Sequence, residues 1–313
     1  VYKRQARYYS ASINNSINLS DSVEIDELNV TNLGDLVLNQ ESSLSVLLNT
    51  NILKGNITNN GTFTSSALFV NEGSYINENT STFLNKIEVI KGELTNNGDI
   101  TAGSIILKEG IVSGSGKFIT DKFVSEGSIS PGSQNNPIST LTFSSLLESK
   151  GDLLIDLNNI NESDFIKVGK FKIDGTLTLN PLNTFYSGNS RFNIMSFEEI
   201  EGQTFTKLNV LKPNFGRLNQ KVIYMDKGID LMLLNPSYEN LVEKEKARSI
   251  GRHIDNFTNL TSASFQELLD QINYIESGSE LSNGLESLVT SNDYKYFIER
   301  IESLASNSKQ GVF

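Results

Sequence analysis

The sequence predicts an all-β solenoid, a right-handed parallel β-helix with a C-terminal β cap, followed by a short α-helical tail. Three observations predict it. A block of residues returns at a fixed spacing. Short runs of alternating apolar residues lie between Asn/Gly turns. The apolar spacing then changes from strand-like to helix-like at Asn235-Pro236.

Ile52–Tyr75 reads ILKGNITNNGTFTSSALFVNEGSY and Val89–Val112 reads VIKGELTNNGDITAGSIILKEGIV, an offset of 37 residues with 9 of 24 positions identical. Most other positions swap within a class, as in Ile57/Leu94, Phe63/Ile100 and Leu68/Ile105. A third echo, FVSEGSIS at Phe123–Ser130 against FVNEGSYI at Phe69–Ile76, has an offset of 54. Two and three units of about 18 residues account for both offsets, and TNLGDL at Thr31–Leu36 is an earlier, weaker copy.

Alternation puts Ile57, Phe63, Leu68 and Val70 of one copy, and Leu94, Ile100, Ile105 and Leu107 of the other, on an inward face. Asn-Asn-Gly and Glu-Gly separate the runs, and both Gly and Asn tolerate the positive φ expected at corners. One unit cannot bury its own inward face. Stacking coil on coil buries it and pairs each strand with its copies above and below. A unit of about 18 residues suits a coil of three short strands. An antiparallel sandwich or barrel also has short strands and Gly turns, but does not require one side-chain pattern to recur at one period.

Composition narrows the function classes. The chain has 313 residues, 26 Lys and Arg against 37 Asp and Glu, a formal charge of −11, one His and no Cys or Trp. Val1-Tyr2-Lys3-Arg4-Gln5 matches the translation of a common sequencing-library adapter, so residues 1–5 are set apart from fold reasoning; without Lys3 and Arg4 the charge is −13. Such a chain is a poor ligand for nucleic acid or an anionic membrane, which both require clustered Lys and Arg. No apolar run reaches the roughly 18 residues of a membrane helix. Without cysteine there is no disulfide framework and no thiolate chemistry, which suits an exported bacterial protein and the cytosol equally.

From Ile111 the repeat loosens. Gly114-Ser115-Gly116, Gly127-Ser128-Ile129-Ser130-Pro131-Gly132, Leu141-Thr142-Phe143, Gly151–Leu157, Asp164–Val168 and Gly175–Leu179 follow in order, then Phe192–Phe205 and Val222–Leu234. This series resembles the C-terminal part of autotransporter passenger domains. The resemblance implies a cap over 138–235 that assists folding outside the cell, after β-helix coils over 6–137. The physical need for a cap stands without the family, because a last coil exposes strand edges and a core cross-section. Gly151–Leu157 and Gly175–Leu179 read as hairpin-like strands that supply it. Ordinary final coils are the plainer alternative.

Over 236–313 the apolar residues fall at helical spacing. Ile250, Ile254 and Phe257 share a face; Leu268, Leu269, Ile272 and Ile275 follow a capping box at Ser264–Glu267. Leu281, Leu285 and Leu288 form another stripe, as do Tyr294, Phe297, Ile298, Ile301 and Leu304. Ser279–Phe297 is similar to the Leu-rich stretch that precedes the outer-membrane barrel in autotransporters. The resemblance implies a linker to a barrel of alternating strands, missing after Phe313, as the chain's partner. A plain helical bundle explains the same stripes.

The search for chemistry names no catalytic, cofactor-binding or metal-binding residue. His253, between Arg252 and Ile254, has no nucleophile motif near it and reads as a surface or capping histidine. A zinc site requires more His or Cys ligands than the chain has. Gly114-Ser115-Gly116-Lys117 fails the phosphate-loop pattern, with Ile111 and Phe118 at the required Gly and Ser/Thr positions. Asp99, Asp121, Asp152, Asp156 and Asp164 are scattered over the repeat and read as turn residues. Calcium-binding nonapeptides are missing, and triplets such as Asn56-Ile57-Thr58 and Asn259-Leu260-Thr261 are expected by chance in an Asn-rich chain.

The expectation is therefore a non-catalytic stalk and folding cap at the bacterial cell surface, anchored at the outer membrane, used for adhesion or display on a host or neighbouring cell. Two alternatives remain. One is a β-helix glycan-active enzyme, which needs a groove with stacked carboxylates. The other is a self-associating adhesin using Asn/Thr ladders on the solenoid flank.

Overall fold

The structure, a computed structural model, describes residues 8–133, 135–158, 162–202, 204–212, 215–257 and 263–287. It is a parallel β-helix. A 14-stranded and a 10-stranded sheet run along it, and neighbours in each sheet come from successive coils. One coil gives a short strand, Asn56–Asn59, to the smaller sheet and a long one, Thr62–Val70, to the larger. The next coil repeats this with Ser74–Asn77 and Thr80–Val89. The long strand is bent: its register breaks between Phe83 and Lys86, where Leu84 and Asn85 form a corner. In a later coil its halves are separate strands, Lys117–Ile119 and Lys122–Ser125. Each coil is thus three short runs, as the sequence predicts.

The offset of 37 is two coils. Ile57 sits on Tyr75 and Tyr75 on Leu94; Leu68 sits on Ile87 and Ile87 on Ile105. Equivalent residues in neighbouring coils are 18 or 19 apart, as in Asn59 to Asn77 and Asn77 to Asn96. The third echo is half right. Ser74 and Ser128 do share a column, through Glu93 and Ile111. Phe123 instead continues the column of Leu68, Ile87 and Ile105, and is buried. Phe69 points outward, with the Lys86 ammonium 4.8 Å from its ring centre. The intervening turns absorb one residue of slip, and the pleat then decides which phenylalanine goes inside.

Columns of apolar residues form one continuous core, including Ile57, Tyr75, Leu94, Val112 and Ile129 in the short strands. Full burial of each such side chain contributes about 1.5–3 kcal/mol. Aromatic rings gather in it: Tyr75 lies 5.5 Å from Phe63 and 5.8 Å from Phe83, centre to centre, and Phe123 lies 5.0 Å from Phe143. One polar feature interrupts the core. Asn59, Asn77 and Asn96 are wholly buried and stacked, each Nδ2 donating to the next Oδ1 at 3.0 and 2.9 Å. The ladder runs inside the solenoid, so it is not available on the flank. Outside, Glu148 is nearly buried among Lys122, Lys172 and Lys150 at 3.1, 3.2 and 3.4 Å. The Lys122 ammonium, with Lys172, outweighs burial and holds its carboxyl down to about 2.

One corner is a stack of glycines: Gly34, Gly55, Gly73, Gly92, Gly110, Gly127, Gly151 and Gly175. Positive φ is not their reason, since among the described glycines only Gly114, Gly132, Gly202 and Gly216 adopt it. From Gly55 onward, each lies with its Cα against the carbonyl oxygen of the glycine one coil earlier, leaving no room for a Cβ.

Parallel coils continue beyond residue 138. Gly151–Leu157 and Gly175–Leu179, expected as hairpin-like cap strands, form the strands Asp152–Leu157 and Thr176–Pro181, which pair in parallel from Asp152↔Thr176 to Leu157↔Pro181. Alternation looks the same in either direction, so it could not separate the two. Coils lengthen here, to 24 residues between Asp156 and Asn180 and 31 between Gly175 and Thr206. The antiparallel closure comes later. Ser190–Glu201 takes Gly228–Leu234 as an antiparallel neighbour, and that strand takes Asn219–Met225.

The tail comprises α1 (Glu245–Phe257), α2 (Ala263–Asn273) and α3 (Gly278–Ser287). A second core joins Ile250 and Ile254 to Leu269, Ile272, Leu281 and Leu285, with Leu268 and Ile275 packed against it. α2 begins at Ala263, one residue before the expected cap Ser264. The side chains of Phe257 and Ser264, and the stripe residues from Leu288 to Leu304, lie outside the described residues.

Candidate functional site

Two regions combine position with chemistry: a groove over the short-strand face, and the junction of cap and helices. The groove holds about 400 Å³ and is lined by Glu93, Ser113, Ser130, Ser133, Asp152 and Asp156, among others. Its wall is the turn after Ser128–Pro131, where Gly132 bridges to Gly114 and Ser133 to Asn136. Asp152 and Asp156 lie on one strand with even spacing, so both face the groove. Thr178 Oγ1 donates to Asp152 and Asn180 Nδ2 to Asp156, each at 2.7 Å. Burial raises the Asp156 pKa against the Asn180 donor.

The structure therefore brings two of the five aspartates that looked scattered in sequence to one groove. Their separation, four residues along a strand, is about 13 Å. Glycosidase carboxylate pairs stand about 5–9.5 Å apart, so this pair does not match that geometry. Asp164 is buried behind the same face. It accepts Ser139 N–H and Asp156 N–H, both at 2.9 Å, and so staples the long coil together. Asp99 lies on a long strand and Asp121 at an exposed corner, away from the groove.

Burial pushes the Asp164 pKa up to about 8, against its two N–H donors. Between the unfolded carboxyl value near 3.8 and about 8, the folded chain holds a proton that the unfolded chain has lost. Stability then falls as pH rises through that window, by at most about 1.4 kcal/mol per pH unit from this group. Urea midpoints at pH 5, 6.5 and 8 are expected to descend in wild type. Asp164→Asn, less stable at pH 5, should show a flatter descent. Equal slopes in the two proteins would refute the assignment.

At the junction, Arg217 donates from Nε to Ile275 O at 2.8 Å and from Nη2 to Glu276 O at 2.9 Å, at the end of α2. Asp270 accepts Gly188 N–H at 2.8 Å, and the Tyr274 hydroxyl accepts Tyr186 N–H at 2.6 Å. The Phe185 and Tyr274 rings stack at 4.6 Å. These bonds fix the helical tail to the loop before Ser190–Glu201 and to the segment before Asn219–Met225. Nothing in the sequence marked Arg217, Asp270 or Tyr274, because their partners are backbone groups distant in the chain.

His253 lies on α1, two residues from Asp255, and that spacing points their side chains to different sides. The Asp255 carboxylate accepts Tyr238 N–H and the Ser237 hydroxyl at 2.7 and 2.9 Å. Gly114–Lys117 is a corner between strands, with the Gly116 Cα against Gly98 O. Asn56 is exposed, its Oδ1 accepting from Ser74 at 2.8 Å, whereas Asn259–Thr261 lies outside the described residues. Among the described residues no three His, Cys, Asp or Glu side chains gather to hold a metal, and no helix is long and apolar enough to cross a membrane. No protein-family model matches this chain, and no curated protein matches it.

Proposed function

We propose that this chain is a non-catalytic stalk and folding cap of a secreted bacterial surface autotransporter, used for adhesion or display. The observation that carries the reading is the order of parts at the C-terminal end. Parallel coils give way to an antiparallel closure, Asn219–Met225 with Gly228–Leu234, and helices dock on it through Arg217, Asp270 and Tyr274. A closed end protects strand edges from adventitious pairing and supplies a template on which coils can stack as the chain emerges. The wide spacing of Asp152 and Asp156 favours a structural over a hydrolytic use of the groove.

The test places residues 6–313 between a secretion signal and an outer-membrane barrel in a Gram-negative host. Protease shaving of intact cells then measures surface arrival. The wild-type segment is expected at the surface in protease-resistant form. Arg217→Ala with Tyr274→Phe should lower its yield severalfold and leave material in the periplasm. A wild-type segment that never reaches the surface would overturn the reading, as would a yield indifferent to removal of 219–234.

Self-association is a compatible second use. The strands of the smaller sheet carry no Lys or Arg before Lys207 and present Ser and Thr outward, as in the Thr95–Ser113 bond of 3.0 Å. Cell clumping lost on Thr58→Lys with Thr95→Lys would support it, and unchanged clumping would remove it.

A further inference from the structure

On the opposite sheet, a second groove of about 410 Å³ is lined by Lys117, Thr142, Ser144, Lys167, Ser196 and Lys227. The pairing places Lys117 on Thr142, Thr142 on Lys167 and Lys167 on Ser196, one outward column across successive coils. Lys227, in the turn of the cap hairpin, closes its end: its carbonyl accepts Phe197 N–H at 3.1 Å, and its ammonium donates to Glu198 O.

These lysines differ from most others in the molecule. Lys54, Lys86, Lys91, Lys108, Lys122, Lys150, Lys170, Lys172 and Lys244 all have a glutamate within 4.0 Å. Among the described residues no carboxylate lies that close to Lys117, Lys167 or Lys227. Glu198 is the one acid lining the groove. Three lysines thus line one groove with three hydroxyl-bearing residues and one glutamate, in a chain whose net charge is −11.

The geometry points to a binding site for a compact oxyanion, a phosphate or sulfate ester on a small polar molecule. The ammonium groups supply charge, and the Thr142, Ser144 and Ser196 hydroxyls supply hydrogen bonds to ester or sugar oxygens. Lys117 and Lys167 stand two coils apart, roughly 10 Å, so a single ester seated over Thr142 lies within reach of both side chains. The net charge of −11 on the whole chain opposes a long polyanion that reaches beyond the groove, which favours a short ligand.

Isothermal titration of the whole chain with inorganic phosphate, a sulfated disaccharide and vesicles containing a phosphomonoester lipid tests this, with a 20-mer DNA as the long polyanion. The soluble esters, or the vesicles if a lipid headgroup is the source, are expected to bind, with affinity falling as salt rises. Lys117→Gln with Lys167→Gln and Lys227→Gln should weaken that binding about tenfold or more while the urea midpoint stays near wild type. Lys207→Gln with Lys221→Gln should leave it unchanged. Absence of binding by every compact probe, equal loss in both variants, or tighter binding of the DNA would overturn the proposal.

Discussion

Replacing Asn77 with leucine is expected to destabilise the solenoid by about 3–5 kcal/mol, read as a lower urea midpoint at unchanged slope. Asn77 is the middle rung of the buried ladder and uses both ends of its amide. Its Nδ2 donates to Asn96 Oδ1 at 2.9 Å and to Asn79 O at 3.0 Å. Its Oδ1 accepts from Asn59 Nδ2 at 3.0 Å and from the Ser81 hydroxyl at 2.6 Å. Leucine has the same number of side-chain heavy atoms but is bulkier, and it leaves Asn96 Oδ1 and Ser81 Oγ each short of a buried partner, whereas Asn79 O keeps the Asp99 N–H. An unmade buried hydrogen bond costs about 1–3 kcal/mol per group, which exceeds what the extra apolar burial returns. Asn59 has Asn77 on one side and Leu38 on the other in its column, so Asn59→Leu should cost less. A midpoint for Asn77→Leu equal to wild type would show that the ladder is not coupled to coil stacking.

Gly92→Ala is the second large effect, expected at about 3 kcal/mol or more, or failure to fold. A Cβ there collides with Gly73 O and with Val70 Cγ1, both in the preceding coil. Neither can yield, because Gly73 O accepts the Glu93 N–H at 2.9 Å and Val70 is wholly buried. Gly284→Ala provides the control. It lies in α3 with open space where its Cβ would go, and alanine there should stabilise by about 0.5–1 kcal/mol. A tolerated Gly92→Ala would mean that the glycine stack reflects turn chemistry and not close approach.

Much of this arrangement is legible in the linear order. Recurrence at two coils identified the solenoid, and alternation named Ile57, Phe63, Leu94 and Ile105 as core, all of which are buried. Helical spacing named Ile250, Ile254, Leu281 and Leu285, which share the second core. The failures have separate causes. Matching Phe123 to Phe69 fails because turn lengths drift while the strand pattern does not, and reading Gly151–Leu157 as hairpin-like fails because alternation carries no strand direction. The ladder asparagines looked like turn residues because Asn-Asn-Gly carries the same letters whether the first amide points in or out.

What the sequence determined alone is the apolar inward positions within the clear repeat and the place where strands end and helices begin, since both follow from periodicity within one coil or one helical turn. What only the tertiary structure decided is which outward residues become neighbours. The meeting of Asp152 with the Ser113 and Ser130 wall, of Lys117 with Lys167 and Lys227, and of Arg217 with the end of α2 depends on coil lengths and on docking between separate cores. Those lengths carry no period, and lateral contact is set by how far the chain has wound before it returns.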